Sequence, residues 1–281
     1  MILYPINTGN LRLDGGAMFG VVPKVIWNKL YPCDENNLCN WAMRCLLIVD
    51  RDRRILIDCG IGDKQSEKFF SNYDLNGEDT LDKSLAANGF TVDDITDVIL
   101  THLHFDHAGG AVRRNTAKTD FEVAFKNATY RTSRQQWEWA TNPNNREKAS
   151  FLKENIFPLK EKGKLELIDG DRELFPGISV RLFNGHTEGQ VIPFIKYRDK
   201  TVVYMADLLP SVAHIPLPYV MAYDTRPLIT LEEKEAFMTE AARNEYILFF
   251  EHDIRYECCT VQETEKGVRL KEPLTLKSAL L

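Results

Sequence analysis

The chain has 281 residues, of which 44% are hydrophobic and 27% charged, and its formal net charge is −6. There is enough apolar material here for a sizeable core, in the proportions of an ordinary globular chain. The acidic balance argues against a nucleic-acid partner gripped by a broad basic face, and no apolar run reaches the ~18 residues that a membrane span needs, so neither nucleic acid nor membrane is expected as a partner.

The N-terminal stretch MILYPINTGN has no basic segment followed by an apolar one, so no secretory signal is expected. Cys33, Cys39, Cys45, Cys59, Cys258 and Cys259 form no CxxC pair and read as free, mostly buried thiols of a reducing, cytoplasmic compartment. Met43–Val49 and Ile55–Asp58 are short and β-rich, and they read as a hairpin around the charged turn DRDRR. Glu78–Asn88 reads as a helix stopped by Gly89. Asp97–Leu100 reads as a buried strand running into ILTHLHFDHAGGA. Ala124–Asn127 then suggests a short strand, and Thr132–Ala140 and Lys148–Asn155 two helices, in a weakly patterned region that carries Trp137 and Trp139. From Leu165 the segments LELID, ISVRLFN, QVIPFIKY and TVVYMAD are strand-like, with turns at GDREL, GHTEG and RDK. Leu231–Asn244 is the clearest helix, with Thr230 as its N-cap. YILFFEHD closes as a buried strand, and the tail after Glu257 reads as strands. The charge runs EEKE and NREK read as solvated helix faces. Strands and helix thus recur roughly twice. The periodicities alone support mixed α/β; the order suggests a four-layer αββα sandwich of two mixed sheets with outer helices, one domain over 1–281.

Three of the six histidines fall with an aspartate in one short stretch: His102, His104, Asp106 and His107. A strand has a period of two, so His102 and His104 project to one side, with Asp106 and His107 following on a turn. The run Ala108–Gly110 lets the backbone swing back into a helix. His186 in FNGHTEGQ, Asp207 in VVYMADLL and His252 in ILFFEHD each close a strand-like run. A buried strand ending in a lone polar side chain is delivering that group to a site. Imidazoles and carboxylates without thiolates suit zinc, with manganese or iron as substitutes. Five histidines and two aspartates exceed one tetrahedral ion but serve two if a carboxylate bridges.

With these residues in view, the chain resembles the metallo-β-lactamase-fold hydrolases. HLHFDH matches their HxHxDH motif, and the likeness runs from ILIDCG through GHTEG and MAD to FFEHD. The resemblance implies the αββα fold and two zinc ions. His102, His104 and His186 would hold the first, Asp106, His107 and His252 the second, and Asp207 would bridge them. It also implies a metal-bridging hydroxide as nucleophile, with Asp106 as the catalytic group that orients it or shuttles its proton. The chain is most similar to the lactonase and methyl-parathion-hydrolase-like group, in which a stretch like LDGGAMFGVVP lines the substrate entrance. A small ester, lactone or phosphotriester substrate and a homodimer follow from that likeness. Three positions bear on it. Glu188 stands where the GHTPG loop has proline, which predicts a looser loop. Pro210 stands where acyl-homoserine lactonases carry tyrosine. His104 stands where the redox di-iron branch has glutamate, which favours hydrolysis.

Asp58 reads either as a partner holding a ligand histidine or as a turn cap. Phe19, with Met18 and Trp27, reads as a pocket wall or as core. His214, Tyr219 and Tyr223 lie in the proline-punctuated PSVAHIPLPYVMAY. From these stretches Phe19, His214 and Tyr219 are the candidate substrate contacts. The competing functions are a phosphodiesterase or nuclease, a thioesterase of the glyoxalase II kind, and a non-catalytic metal-binding protein. The acidic balance, the strand-like tail and the complete ligand set weigh against them in turn.

Overall fold

The computed structural model describes residues 1–281, and these gather into two units interleaved in sequence. Unit 1 is Met1–Asn10 with Met43–Gly170; unit 2 is Leu11–Ala42 with Asp171–Leu281. No helix is long and apolar enough to cross a membrane.

The strands associated with unit 1 are β1 (Ile2–Asp14), β2 (Leu38–Asp50), β3 (Arg53–Ile57), β4 (Asp97–Ile99), β5 (Val112–Arg114), β6 (Phe121–Val123), β7 (Thr129–Ser133) and β8 (Leu165–Ile168). Six of them form one mixed sheet in the order β1-β2-β3-β4-β7-β8, and β5 and β6 form a separate ribbon. The expected hairpin is β2–β3, antiparallel with Leu46 opposite Ile57. Its turn is tight because Arg51 adopts a left-handed φ of 55°. From β3 onward the sheet is parallel, and β4, which carries the histidine motif at its end, lies between β3 and β7. A strand flanked on both sides in this way is buried along its length: Val98 and Ile99 are inaccessible, and Asp97 is buried against Arg53 and Arg131.

Several boundaries shift for local reasons. The helix expected over Glu78–Asn88 is Leu81–Ala87, because the Thr80 hydroxyl accepts the Lys83 N–H and caps it. Gly89 does follow it, at φ 81°. The helix expected from Thr132 starts at Arg134, since Thr132 belongs to β7 and Ser133 is the cap. The helix expected over Lys148–Asn155 is Lys153–Glu161. The short strand expected at Ala124–Asn127 does not form: β6 ends at Val123, and the residues after it are a bend and a turn closed by the Ala128 N–H donating to the Phe125 carbonyl.

Unit 2 holds a seven-stranded sheet of β9 (Arg172–Phe175), β10 (Ile178–Phe183), β11 (Gln190–Tyr197), β12 (Lys200–Tyr204), β13 (Ile247–Phe249), β14 (Cys258–Thr264) and β15 (Gly267–Leu274). Their order in space is β15-β14-β13-β12-β11-β10-β9. Only β12 and β13 run parallel, so this sheet is mixed as well. GDREL, expected as a turn, supplies most of β9. The helix Pro227–Arg243 starts four residues before its expected beginning: Pro227 takes the first helical position and Thr230 lies inside. It buries Thr230, Lys234, Phe237, Met238 and Ala241, a stripe at helical spacing. Burying a side chain such as Phe237 contributes roughly 1.5–3 kcal/mol.

Neither charge run is only a solvated face. Lys234 of EEKE is buried and donates to the carbonyls of Pro216, Leu217 and Tyr219. Glu147 of NREK is 4% exposed. In both, a hydrogen-bonding group on the loop supplies the partner that makes burial tolerable.

Candidate metal centre

In unit 1 the chain leaves β4 at Ile99 and runs as a loop to His104, which caps the short helix Phe105–Ala108. Asp106 and His107 therefore sit on that helix, not on a turn. His102, His104 and His107 are buried and Asp106 is partly exposed. The His102 ring lies 4.5 Å from that of His104 and 3.9 Å from that of His107, and the His107 Nε2 lies 3.9 Å from an Asp106 oxygen. All four are brought together, as the spacing predicts.

The glycines after the motif make this possible. The His107 carbonyl accepts from the Cys59 N–H, and the Gly110 N–H donates to the Gly60 carbonyl. The two segments lie so close that a Cβ on Gly109 would run into the Ile61 carbonyl, and one on Gly110 into that of Cys59. Asp58, at φ 59°, faces the motif from the end of β3. One of its oxygens accepts the Thr101 N–H at 2.7 Å; the other meets the Thr101 hydroxyl at 2.6 Å and His107 Nδ1 at 3.1 Å. Of the two readings of Asp58, the histidine partner is the observed one.

In unit 2 three strand ends meet. His186 follows β10, Asp207 follows β12 in a helical turn, and His252 follows β13. Each Asp207 oxygen faces one imidazole: Oδ2 lies 3.0 Å from His186 Nε2 and Oδ1 3.1 Å from His252 Nε2. Behind the rings, His186 Nδ1 is 2.9 Å from Asp224 and His252 Nδ1 is 2.8 Å from the Ala42 carbonyl. Ala206, just before Asp207, is held at φ 40°, a conformation that costs a non-glycine residue on the order of 1–2 kcal/mol. Burial alone would lower the His186 imidazole, but Asp207 and Asp224 outweigh it and raise it to about 10.

Four of the five histidines show the same preparation. His102 Nδ1 lies 3.1 Å from the Thr101 hydroxyl, so the Nδ1 atoms of His102, His107, His186 and His252 are all tied back. Ligand histidines are characteristically oriented in this way through the nitrogen that does not bind metal. The donor set is nitrogen and oxygen, as zinc accepts.

The GHTEG loop is tied down despite lacking its proline. Glu188 pairs with Arg226. Thr225 and Arg226 donate backbone N–H groups to the His186 and Gly185 carbonyls at 3.0 and 2.9 Å. Glu233 accepts the N–H groups of Asn184 and Gly185. Sequence reading missed Asp224, Glu147 and Glu233; the first is the one acidic residue in the stretch MAYDTR, a signal too ordinary to single out.

Phe19 and His214 stack at 4.5 Å, and Trp27 stacks on the other side of Phe19 at 5.2 Å. His214 Nδ1 meets the Ser211 hydroxyl and Nε2 the Met18 carbonyl. Both side chains are essentially inaccessible, within a cluster that includes Met18, Tyr31, Trp41 and Met221. His214 is thus no surface residue. Tyr219 is half-buried, edge-on to Phe19.

The sequence model of the metallo-beta-lactamase superfamily matches residues 44–252. The chain belongs to this superfamily. It is 26% identical over 268 residues to the N-acyl homoserine lactonase AiiA of Bacillus thuringiensis subsp. kurstaki, covering 91% of this chain and 94% of that one. The crystal structure of a probable metal-dependent hydrolase from Staphylococcus aureus superimposes with a TM-score of 0.87 at 32% identity, over 98% of each chain. AidC, described as a dizinc quorum-quenching lactonase, shares the fold at 21% identity, with a TM-score of 0.80 over 98% of this chain and 95% of that one. The two mixed sheets with helices are those of the superfamily's α+β fold, and the chain is a metal-dependent hydrolase of lactonase type that acts on ester bonds.

Proposed function

We propose that the chain hydrolyses a small lactone or ester, or a phosphotriester, with two zinc ions as cofactors and residues 1–281 acting as one functional domain. His102, His104 and His186 hold one ion, Asp106, His107 and His252 the other, and Asp207 is shared. The observation that carries this is Asp207, whose two oxygens each face a different imidazole, as a bridging carboxylate requires. The residue sets His102–His104–His186–Asp207 and Asp106–His107–His252 have the ligand types for two ions, with manganese or iron as the other metals they would accept.

When bound, the ions supply an acidified water and Lewis-acid stabilisation of the developing oxyanion. The chain's own residues do the rest. Asp58, Asp224 and the Ala42 carbonyl hold His107, His186 and His252 in their tautomers. Asp106, partly exposed on its helical turn, carries the proton to the departing oxygen. Tyr219 contacts the substrate, while Phe19 and His214 back that wall from inside the aromatic cluster. Pro210 is buried and offers no phenol, so this chain does not use a tyrosine at that position. A related N-acyl homoserine lactone hydrolase, at 25% identity, binds N-hexanoyl-L-homoserine at its catalytic metal centre, which supports a small molecule as substrate. The six free thiols fit a cytoplasmic location.

The test is a metal-quantified preparation assayed against lactones, aryl esters, phosphotriesters, phosphodiesters, thioesters and β-lactams. Turnover of lactones or esters that tracks bound zinc is expected. Activity confined to phosphodiesters would overturn the reading.

A further inference from the structure

We infer that Glu147 is a positioning residue for His104, and that the segment carrying Trp139 and Asn144 is built to hold it; this rests on the reading of His104 as a metal ligand. His104 Nε2 lies 2.9 Å from a Glu147 oxygen, with the two side chains 9% and 3% exposed. The other Glu147 oxygen accepts the Trp139 indole N–H at 2.6 Å and the Asn144 amide at 3.2 Å. Asn144 in turn caps the turn from which Glu147 projects, accepting the N–H groups of Arg146 and Glu147 at 2.9 and 3.1 Å. Phe151 then packs its ring 4.9 Å from that of His104. The stretch Asn144–Phe151 thus wraps one imidazole.

A carboxylate only accepts hydrogen bonds, so the proton of His104 sits on Nε2 and the lone pair on Nδ1. The other four candidate ligand histidines are tied through Nδ1. His104 is inverted, and Glu147 is the group that inverts it. A carboxylate is costly to bury, and one fully engaged by two side-chain donors and an imidazole is doing more than covering a helix face. The arrangement also explains the WEW sequence. Trp137 packs into the unit 1 core, and two residues on, Trp139 turns its N–H to Glu147.

The experiment measures zinc affinity by chelator competition, with the His104 tautomer read from imidazole nitrogen chemical shifts, in the full-length parent, Glu147→Gln and Trp139→Phe. The parent is expected to bind zinc tightly with His104 protonated on Nε2. Glu147→Gln should weaken zinc binding by roughly 10- to 100-fold, the usual effect of losing a partner behind a ligand. Trp139→Phe should weaken it less and leave a mixture of His104 tautomers, which a merely structural tryptophan would not. Should Glu147→Gln fail to fold, Trp139→Phe carries the test alone. Parent-like zinc affinity and an unchanged tautomer in the folded variants would overturn the role of Glu147 while leaving the hydrolase reading intact. A parent that binds no zinc would overturn both.

Discussion

In unit 1, His102, His104, Asp106 and His107 come from a single stretch of chain; in unit 2, His186, Asp207 and His252 leave three different strands of one sheet. The first cluster depends on a backbone path. Two glycines allow close approach to Cys59–Gly62, and Asp58 locks the returning loop. The second depends on register: β10, β12 and β13 must each end at the right residue, and Asp224 and the Ala42 carbonyl then aim the rings. A contiguous cluster is therefore vulnerable to small local changes, and a dispersed one to any slip in the sheet. Asp207 is the point at which the second cluster has no local substitute.

The largest expected effect follows from that. Asp207→Ala should abolish hydrolysis and strip bound metal, well beyond the roughly 10- to 100-fold of a change behind a ligand. Metal analysis beside initial rates checks it, and parent-rate hydrolysis by a metal-poor variant would sink the shared-carboxylate role. The comparison sharpens with Asp58→Asn and Asp224→Asn, one behind each cluster. Each should lower zinc affinity by roughly 10- to 100-fold. Asp58→Asn should also lower the melting temperature of the metal-free protein more than Asp224→Asn does, because Asp58 accepts both the N–H and the hydroxyl of Thr101, whereas Asp224 accepts one backbone N–H, that of Met221, at 3.1 Å. Equal losses of stability in the two variants would erase the distinction between path and register.

A third test reads unit 2 by pH. Burial pushes His214 down to about 3, against about 6.5 in an unfolded chain. Between those values the unfolded chain binds a proton that the folded one does not. The stability tied to neutral His214 is thus complete above about pH 6.5 and is lost as pH falls, by up to about 1.4 kcal/mol per unit. Denaturant midpoints at pH 7 and 5.5 should diverge more for the parent than for His214→Gln, and parallel shifts would refute the assignment. The smallest effect belongs to the Glu188–Arg226 pair, whose side chains are a quarter to a third exposed. Arg226→Ala should cost less than about 1 kcal/mol in a urea titration. A larger loss would mean that the GHTEG loop leans on this pair more than on its backbone bonds.

The same contrast explains what the sequence could reveal. HLHFDH was legible because its ligands lie within one local period. The three distant ligands were legible because each closes a strand-like run, where a lone polar side chain stands out. Asp224 and Glu147 were not, since they sit in loops where acidic residues are common and only the folded chain shows them buried. Helix starts moved for a related reason. Thr80, Ser133 and Pro227 set the true ends through single bonds or a fixed φ, which periodicity does not register. Phe19 and His214 stood out by residue type, but the stacking that buries them joins positions nearly two hundred apart in the chain.

The interleaving of the two units has a consequence for synthesis. Leu11–Ala42 carries Phe19, Trp27, Tyr31 and Trp41, yet the rest of its unit begins at Asp171. On the ribosome all of Met43–Gly170 must be made first, which at about 5–20 residues per second takes on the order of ten seconds. For that interval four large aromatic side chains wait without Ala213, His214 and Met221 to cover them, so the nascent chain is most exposed to aggregation or chaperone capture well before its last ligand, His252, has been made.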